Sequence, residues 1–428
     1  MNAPQKKQFF PALQPLQSPL KIALLGYRSD PHVGGQGIYL YYLSRALHQL
    51  GHMIDVYSGP PYPKLAAGVN LIKVPSLDLY ASEDHVRALR WQHLRSFTDT
   101  WEWFSMLTGG FPEPYTFGRR VLKRLKLGDY DLVHDNQSLC FGLLELQRAG
   151  VPVVSTIHHP IHRDLQQALL CAENWRHKLL IKRWYSFLSM QQEVAAKLKH
   201  VVTVSRQSQL DIEHFFKRHR SRTKLVANGI DTHIFKPLPT VVRKTNQLIT
   251  TASADQPLKG LPILLDSFAE LKADLPSLKL IIIGKLRSDG AAQKQIERLG
   301  LAPHIELFSG ISTAALVKLY AESTLAVVPS LYEGFGLPLG EAMSCGLPVI
   351  SSDGGALPEV IGKAGITVPA GNSAALAQGI KTLLQQPHKR QQLGSAARHR
   401  ILEKFCWRQV ARQLTAYYQQ ILSQHVDP

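Results

Sequence analysis

Residues 330–362 read SLYEGFGLPLGEAMSCGLPVISSDGGALPEVIG. Glu333 and Glu341 stand eight positions apart, separated first by Gly334-Phe335-Gly336-Leu337-Pro338. The apolar run Leu325-Ala326-Val327-Val328-Pro329 precedes them. A stretch of small residues follows Glu341, then Leu347-Pro348-Val349-Ile350, then Gly354-Gly355. The order is strand, glycine loop, helix, strand, glycine loop, helix, which is the alternation of a parallel α/β sheet. Such sheets bind ligands at the carboxyl ends of their strands. The exposed N–H groups and positive dipole end of the next helix suit a phosphate. Gly334 and Gly336 let backbone come close to a bulky ligand. With a helix starting near Pro338, Glu341 lies on roughly the same face as Glu333. One loop can then hold a diphosphate while two carboxylates accept sugar hydroxyls on either side of it. An ordinary βαβ unit with a solvated glutamate at each end of a loop needs neither both glycines nor both prolines.

The pattern E-G-F-G-L-P-x-x-E-A-M-x-x-G-x-P-V-I resembles the glutamate–seven–glutamate signature of glycosyltransferase family 4. These are retaining enzymes of the GT-B fold. The resemblance implies an α/β protein with two doubly wound Rossmann-like domains facing each other across a cleft. It also implies sugar transfer from a nucleotide-diphosphate sugar to an acceptor hydroxyl.

The rest of the chain is consistent with that expectation. Its 428 residues exceed the usual limit of one core, so two domains are expected. No run of eighteen apolar residues is present, so no transmembrane span is expected. The N-terminal stretch is broken by prolines and glutamines and lacks the apolar centre of a signal peptide. Cys140, Cys171, Cys345 and Cys406 are scattered without metal-ligand spacing and read as free thiols in a reducing cytoplasm. The formal net charge is +17, with +12 carried through Pro237 and +5 beyond it. An excess of that kind attracts polyanions such as anionic lipid surfaces.

In chain order, residues 1–20 read as a loose arm. Lys21 to Gly26 is a buried strand, and Gly34-Gly35-Gln36-Gly37 follows it. A helical pattern then runs from Ile38 to Leu50 with apolar residues at Leu40, Leu43, Leu47 and Leu50. The glycine loop lacks a third glycine at the dinucleotide spacing and a ribose-binding acid, so a nicotinamide cofactor is excluded. Residues 80–127 hold Trp91, Phe97, Trp101, Trp103, Phe104 and Phe111, then Arg119, Arg120, Lys123, Arg124 and Lys126. On a helix, residues 117–127 give an apolar stripe flanked by cations. That suits either an interfacial membrane helix or a surface helix whose cationic stems cover core. Residues 175–200 are basic and aromatic too and suit the same surface. Because these residues fall in helical rather than strand patterns, a nucleic-acid partner is not expected.

Val151 to Ile157 is a strand that ends in His158-His159-Pro160, and Asn228-Gly229-Ile230-Asp231 is a turn signal. Domain one is assigned to residues 1–237, the acceptor side. Domain two is 238–410 and binds the nucleotide-sugar. A final helix over 411–428 crosses back to domain one.

The family resemblance implies roles for individual residues. Glu333, Lys259 and His158 are the catalytic candidates, with His159 the alternative histidine. Glu341, Phe335, Gly336, Leu337 and Lys259 bind the donor. Gly34 and Gly35 belong to the loop facing sugar and acceptor, and Asn228 to Asp231 matches an N-G-[IV]-D motif. The family commonly places an arginine five residues before the lysine, where this chain has Ala254. Either another cation substitutes, with Lys285 and Arg287 the candidates, or phosphate binding leans on helix N-termini. Because no residue reads as a covalent nucleophile, front-face attack is expected, with the leaving phosphate as base. No cofactor is expected, and a divalent metal is not expected to be required. The expected partners are a nucleotide-sugar, an acceptor glycan or lipid, and an anionic membrane surface contacted through basic aromatic helices. The expected location is cytoplasmic with peripheral membrane association. The alternative is a catalytically weak or nonenzymatic nucleotide-sugar or lipid-binding protein of the same fold.

Overall fold

A computed structural model describes residues 19–30, 35–81, 91, 96–251 and 256–426. Gly34, Ala254 and arm residues 1–18 lie outside the described residues. The first half contains β1 (Lys21–Gly26), α1 (Gly35–Gln49), β2 (Met53–Ser58), β3 (Asn70–Lys73), α2 (Phe97–Leu107), α3 (Glu113–Arg124), β4 (Leu132–Asn136), α4 (Phe141–Arg148), β5 (Val153–Ile157), α5 (His162–Leu170), α6 (Trp175–Trp184), α7 (Leu188–Lys197), β6 (His200–Thr203), α8 (Arg206–Phe216) and β7 (Thr223–Leu225). The second half contains β8 (Gln247–Thr251), α9 (Leu261–Asp274), β9 (Lys279–Ile283), α10 (Ala291–Arg298), β10 (Ile305–Phe308), α11 (Thr313–Glu322), β11 (Leu325–Val328), α12 (Leu337–Ser344), β12 (Val349–Ser352), α13 (Leu357–Ile361), β13 (Ile366–Val368), α14 (Ser373–Gln385), α15 (Pro387–Lys404) and α16 (Trp407–Val426).

Two parallel sheets result, ordered β3-β2-β1-β4-β5-β6-β7 and β10-β9-β8-β11-β12-β13. Central strands β1 and β11 are apolar runs buried on both faces, as helix-covered parallel sheets require, whereas β4 and β5 carry polar residues in their carboxyl-terminal halves while staying buried. In each sheet the winding direction reverses beside the first strand, between β1 and β4 and again between β8 and β11. Loops leaving the carboxyl ends of strands at such a switch point form a crevice. The two crevices face one another across a single cleft, which is the GT-B arrangement.

Helix α16 is built into the first half. Trp407, Val410, Ala411, Leu414, Tyr418 and Ile421 share a core with Leu40, Leu43 and Leu47 of α1 and with strands β1 and β2. Tyr418 Oη lies 2.5 Å from His134 Nδ1 on β4, and Thr415 Oγ1 lies 2.9 Å from His52 Nε2.

The structure departs from the sequence reading at several places. The first helix begins at Gly35 rather than Ile38, because the glycine loop leads straight into its first turn. The three- to four-residue edge strands β3 and β13 have too short a pattern to be read. Of the two readings for residues 117–127, the core-covering helix is the one that forms. Phe117, Val121 and Leu125 are buried, and Arg120 is buried with its guanidinium on Asp99 and Glu102. Asp129-Tyr130-Asp131, which has the Asp-x-Asp spacing of many metal sites, precedes β4 at the end of the sheet away from the cleft. Asp131 there accepts a 2.7 Å hydrogen bond from the Lys21 amide, and Tyr130 donates to Asp55 at 2.6 Å.

Candidate active site

The cleft encloses a cavity of about 830 Å³, lined by both halves of the chain. From the second half come Lys259, Thr313, Glu333, Gly334, Phe335, Gly336, Leu337 and Glu341. From the first come Gly35, Gln137, His158 and His159, with Lys64 at the loop after β2.

The loop after β11 sets the second-half wall. Gly336 has φ +93° and caps α12, a backbone state that side chains disfavour, and Pro338 fits the first turn. The helix N-terminus therefore opens into the cavity between the two glutamates. Glu333 Oε1 accepts hydrogen bonds from Lys259 Nζ at 2.8 Å and from Ser330 Oγ at 3.0 Å. Lys259 ends a single 3₁₀ turn, and Gly260 follows at φ +66°. A Cβ at Gly260 would lie 2.0 Å from the Pro329 carbonyl, so only glycine lets the lysine loop meet the end of β11. This close approach fixes the Lys259–Glu333 pair.

Glu341 forms no ion pair or side-chain hydrogen bond among the described residues. Burial pushes its carboxyl up to about 8. A carboxyl held this way has unfilled acceptor capacity facing the cavity.

The first-half wall is polar and tightly tied. The Asn136 amide donates to the Gln36 carbonyl at 3.1 Å, which turns its Oδ1 toward His158 Nε2 at 2.8 Å. Nε2 therefore carries the imidazole proton, and Nδ1 is left as an acceptor. Gln137 accepts from the His158 amide and donates to the His159 carbonyl, both at 2.7 Å. Burial holds His158 neutral, with its pKa pushed down to about 3. His159 points to Asp164 instead, at 3.4 Å, and its side chain is more exposed.

Contacts across the cleft fix the two walls together. The Arg206 and Gln207 amides at the start of α8 donate to the Glu359 carboxylate of α13 at 2.8 and 3.0 Å. Ser205 Oγ donates to the Gly334 carbonyl at 2.8 Å. Asp211 accepts from Arg163 at 2.7 Å and from the hydroxyl of Tyr332.

The structure brings Glu333, Lys259, His158, Glu341, Phe335, Gly336, Leu337 and Gly35 to one cavity. Lys285 and Arg287 are not among its lining residues, so the replacement cation is not supplied from there. Arg287 instead approaches Asp289 at 3.7 Å on the exposed loop after β9. Sequence reasoning missed Asn136, Gln137, Lys64, Tyr42 and Trp407. Asn136 and Gln137 sit where β4 ends, and the rule used for His158 would have found them. Trp407 stacks on Tyr42 at 5.7 Å and lies against Gly229, but nothing local in the sequence points to that contact.

Residues 33–234 match the family described as Glycosyltransferase Family 4, and residues 238–400 match Glycosyl transferases group 1. An MMP alpha-(1->4)-mannosyltransferase of Mycolicibacterium hassiacum is 42% identical over 411 residues, covering 94% of this chain and 99% of that protein. The chain belongs to glycosyltransferase family 4. A D-inositol 3-phosphate glycosyltransferase of Segniliparus rotundus is 26% identical over 324 residues, 68% of this chain and 67% of that one. Among solved structures, sucrose-phosphate synthase of Thermosynechococcus elongatus superposes with TM-score 0.69 at 23% identity, over 95% of this chain and all of that one. Anabaena HepE in complex with UDP and glucose gives TM-score 0.66 at 19% identity, over 94% of this chain and all of that one. The family member is a glycosyltransferase, and at these identities the solved structures bear on the fold alone.

Proposed function

We propose that this glycosyltransferase moves a mannosyl group, with retention, from a nucleotide-diphosphate sugar to a hydroxyl of a glycan or lipid-borne acceptor. One observation carries the reading. Glu333 and Glu341 flank the N-terminus of α12 in a single cavity, with Lys259 held 2.8 Å from Glu333. The choice of mannose rests on the 42% identical mannosyltransferase.

Glu341 accepts the ribose hydroxyls. The amides of Phe335 to Leu337 and the dipole of α12 hold the diphosphate. Glu333 binds the sugar hydroxyls on the far side of it. Lys259 stabilises the leaving diphosphate as negative charge grows there, which is worth most in a cleft shielded from water. His158, a neutral imidazole fixed by Asn136, positions the sugar from the acceptor side.

In the transfer step the bond between C1 and the phosphate oxygen breaks as the acceptor oxygen bonds to C1 from the same face. The acceptor proton passes to the departing phosphate oxygen, so charge and atoms balance without a covalent enzyme intermediate. Lys259 supplies the positive charge, and no divalent metal is required. The test is incubation with GDP-, UDP- and ADP-mannose and a mannoside acceptor, with the product anomer read by NMR. An α product made in the presence of a chelator supports the reading, and a β product overturns it.

A further inference from the structure

Helix α2 is inverted. In a surface helix the apolar stripe ordinarily faces the core. Here the residues α2 buries are Thr98, Glu102 and Ser105. Phe97, Trp101 and Phe104, at i, i+4 and i+7, are 67%, 41% and 54% exposed, while Glu102 is 2% exposed. The polar inner face is fully engaged. Glu102 accepts from the Leu77 amide at 3.0 Å and pairs with Arg120, and Ser105 Oγ accepts from Arg183 at 3.0 Å. The outward aromatic stripe therefore belongs to the built helix, because turning it inward would break this network.

Helix α6 lies beside it. Arg183 donates to Ser105 and to Thr108 Oγ1, at 2.9 Å in the latter case, and Leu180 lies 3.4 Å from where a Cβ of Gly109 would be. No residue of α5 or α6 is buried. Trp175, Leu179 and Leu180 are 70%, 61% and 58% exposed. Helices this short draw their stability from burying a face, and here that face is open. Phe111 joins the patch to the cleft side, stacked on Trp184 at 5.3 Å and edge-on to Tyr27, the residue after β1, at 6.2 Å.

We propose that the α2–α6 face is a docking surface for an anionic lipid interface. Charge selects the occupant. Residues 174–187 carry Arg176, Lys178, Lys182 and Arg183 and no acidic residue. Arg119, Lys123 and Arg124 line the neighbouring α3. Two copies meeting through this face would set cations against cations, whereas an anionic bilayer takes both the aromatic stripe and the flanking charge. The proposal stands on these helices alone, apart from the reading of the cleft.

The experiment is co-sedimentation of the full chain with vesicles of phosphatidylcholine, alone or with about one third phosphatidylglycerol. The anionic vesicles should retain the protein in a salt-sensitive way and the neutral ones should not. Trp101→Ser/Phe104→Ser and Lys178→Glu/Lys182→Glu should each weaken retention by about tenfold or more. Circular dichroism and donor binding by calorimetry should stay unchanged, because none of these side chains supports the core or lines the cleft. Equal retention on both vesicles, or retention unaffected by both double variants, overturns the proposal. So does a dimer in vesicle-free sedimentation equilibrium that Trp101→Ser/Phe104→Ser dissociates, since a second copy would then cover the face.

Discussion

The two walls of the cleft are built on the same topology but hold their functional groups differently. The second-half wall draws Glu333, the α12 N-terminus and Glu341 from one continuous stretch, with Lys259 and Thr313 added from elsewhere. The first-half wall assembles Asn136, Gln137, His158 and Gly35 from the ends of separate strands and loops. Ligation of a constant group such as a diphosphate fits in one loop–helix unit. On the proposed reading the first-half wall meets a variable acceptor, and a wall composed from several loops lets each of them change independently. The second-half wall also leaves a carboxyl unpaired, whereas polar groups of the first are tied to one another.

The largest effect is expected where the second-half wall touches the developing charge. Lys259→Ala should lower kcat/KM by about a hundredfold to a thousandfold with little change in folding, as steady-state assays and thermal melts would show. A fall below tenfold would shift the phosphate charge to other groups. Next is Glu341→Ala, expected to weaken donor binding by about tenfold through loss of hydroxyl acceptors.

The same glutamate predicts a pH dependence. Its pKa in the empty site is raised to about 8, so near neutral pH the carboxyl is largely protonated. Ribose hydroxyls donating to it favour the ionised form. Donor affinity should therefore rise with pH up to about 8 and then level, with proton release on binding at neutral pH. Calorimetry in buffers of different ionisation enthalpy measures that release, and Glu341→Gln should abolish it. The sign for folding is opposite. A raised carboxyl pKa means the native empty protein binds more protons than the unfolded chain, so this residue costs stability as pH climbs from the ordinary glutamate range through about 8.

On the first-half wall, Asn136→Ala should free the His158 ring and lower kcat by about tenfold while leaving donor affinity intact. The smallest effect on activity is expected from Glu359→Gln, which keeps one acceptor oxygen for the α8 amides, turns the other into an NH2 group that cannot accept, and removes the charge at that helix end. It should cost about 1 kcal/mol in thermal stability with kcat unchanged.

Much of the second half was legible in the sequence because its signals are local. Strand, glycine, proline and carboxylate follow one another within a few residues. The buried strands of both sheets were legible for the same reason, as runs of apolar residues between turns. The cross-cleft contacts were not, since the Asp211–Arg163–Tyr332 and Glu359–Arg206 pairings join residues far apart in the chain. The orientation of α2 was hidden for another reason. Its aromatic spacing is that of a normal amphipathic helix, and only the burial of Glu102 against Arg120 reveals that the stripe faces out.

The most direct test of the central claim is calorimetric titration of the protein with GDP-, UDP- and ADP-mannose. The account predicts that one nucleotide binds and that Lys259→Ala and Glu341→Ala both weaken it. Failure of all three to bind at millimolar concentration, or binding indifferent to both substitutions, would contradict it.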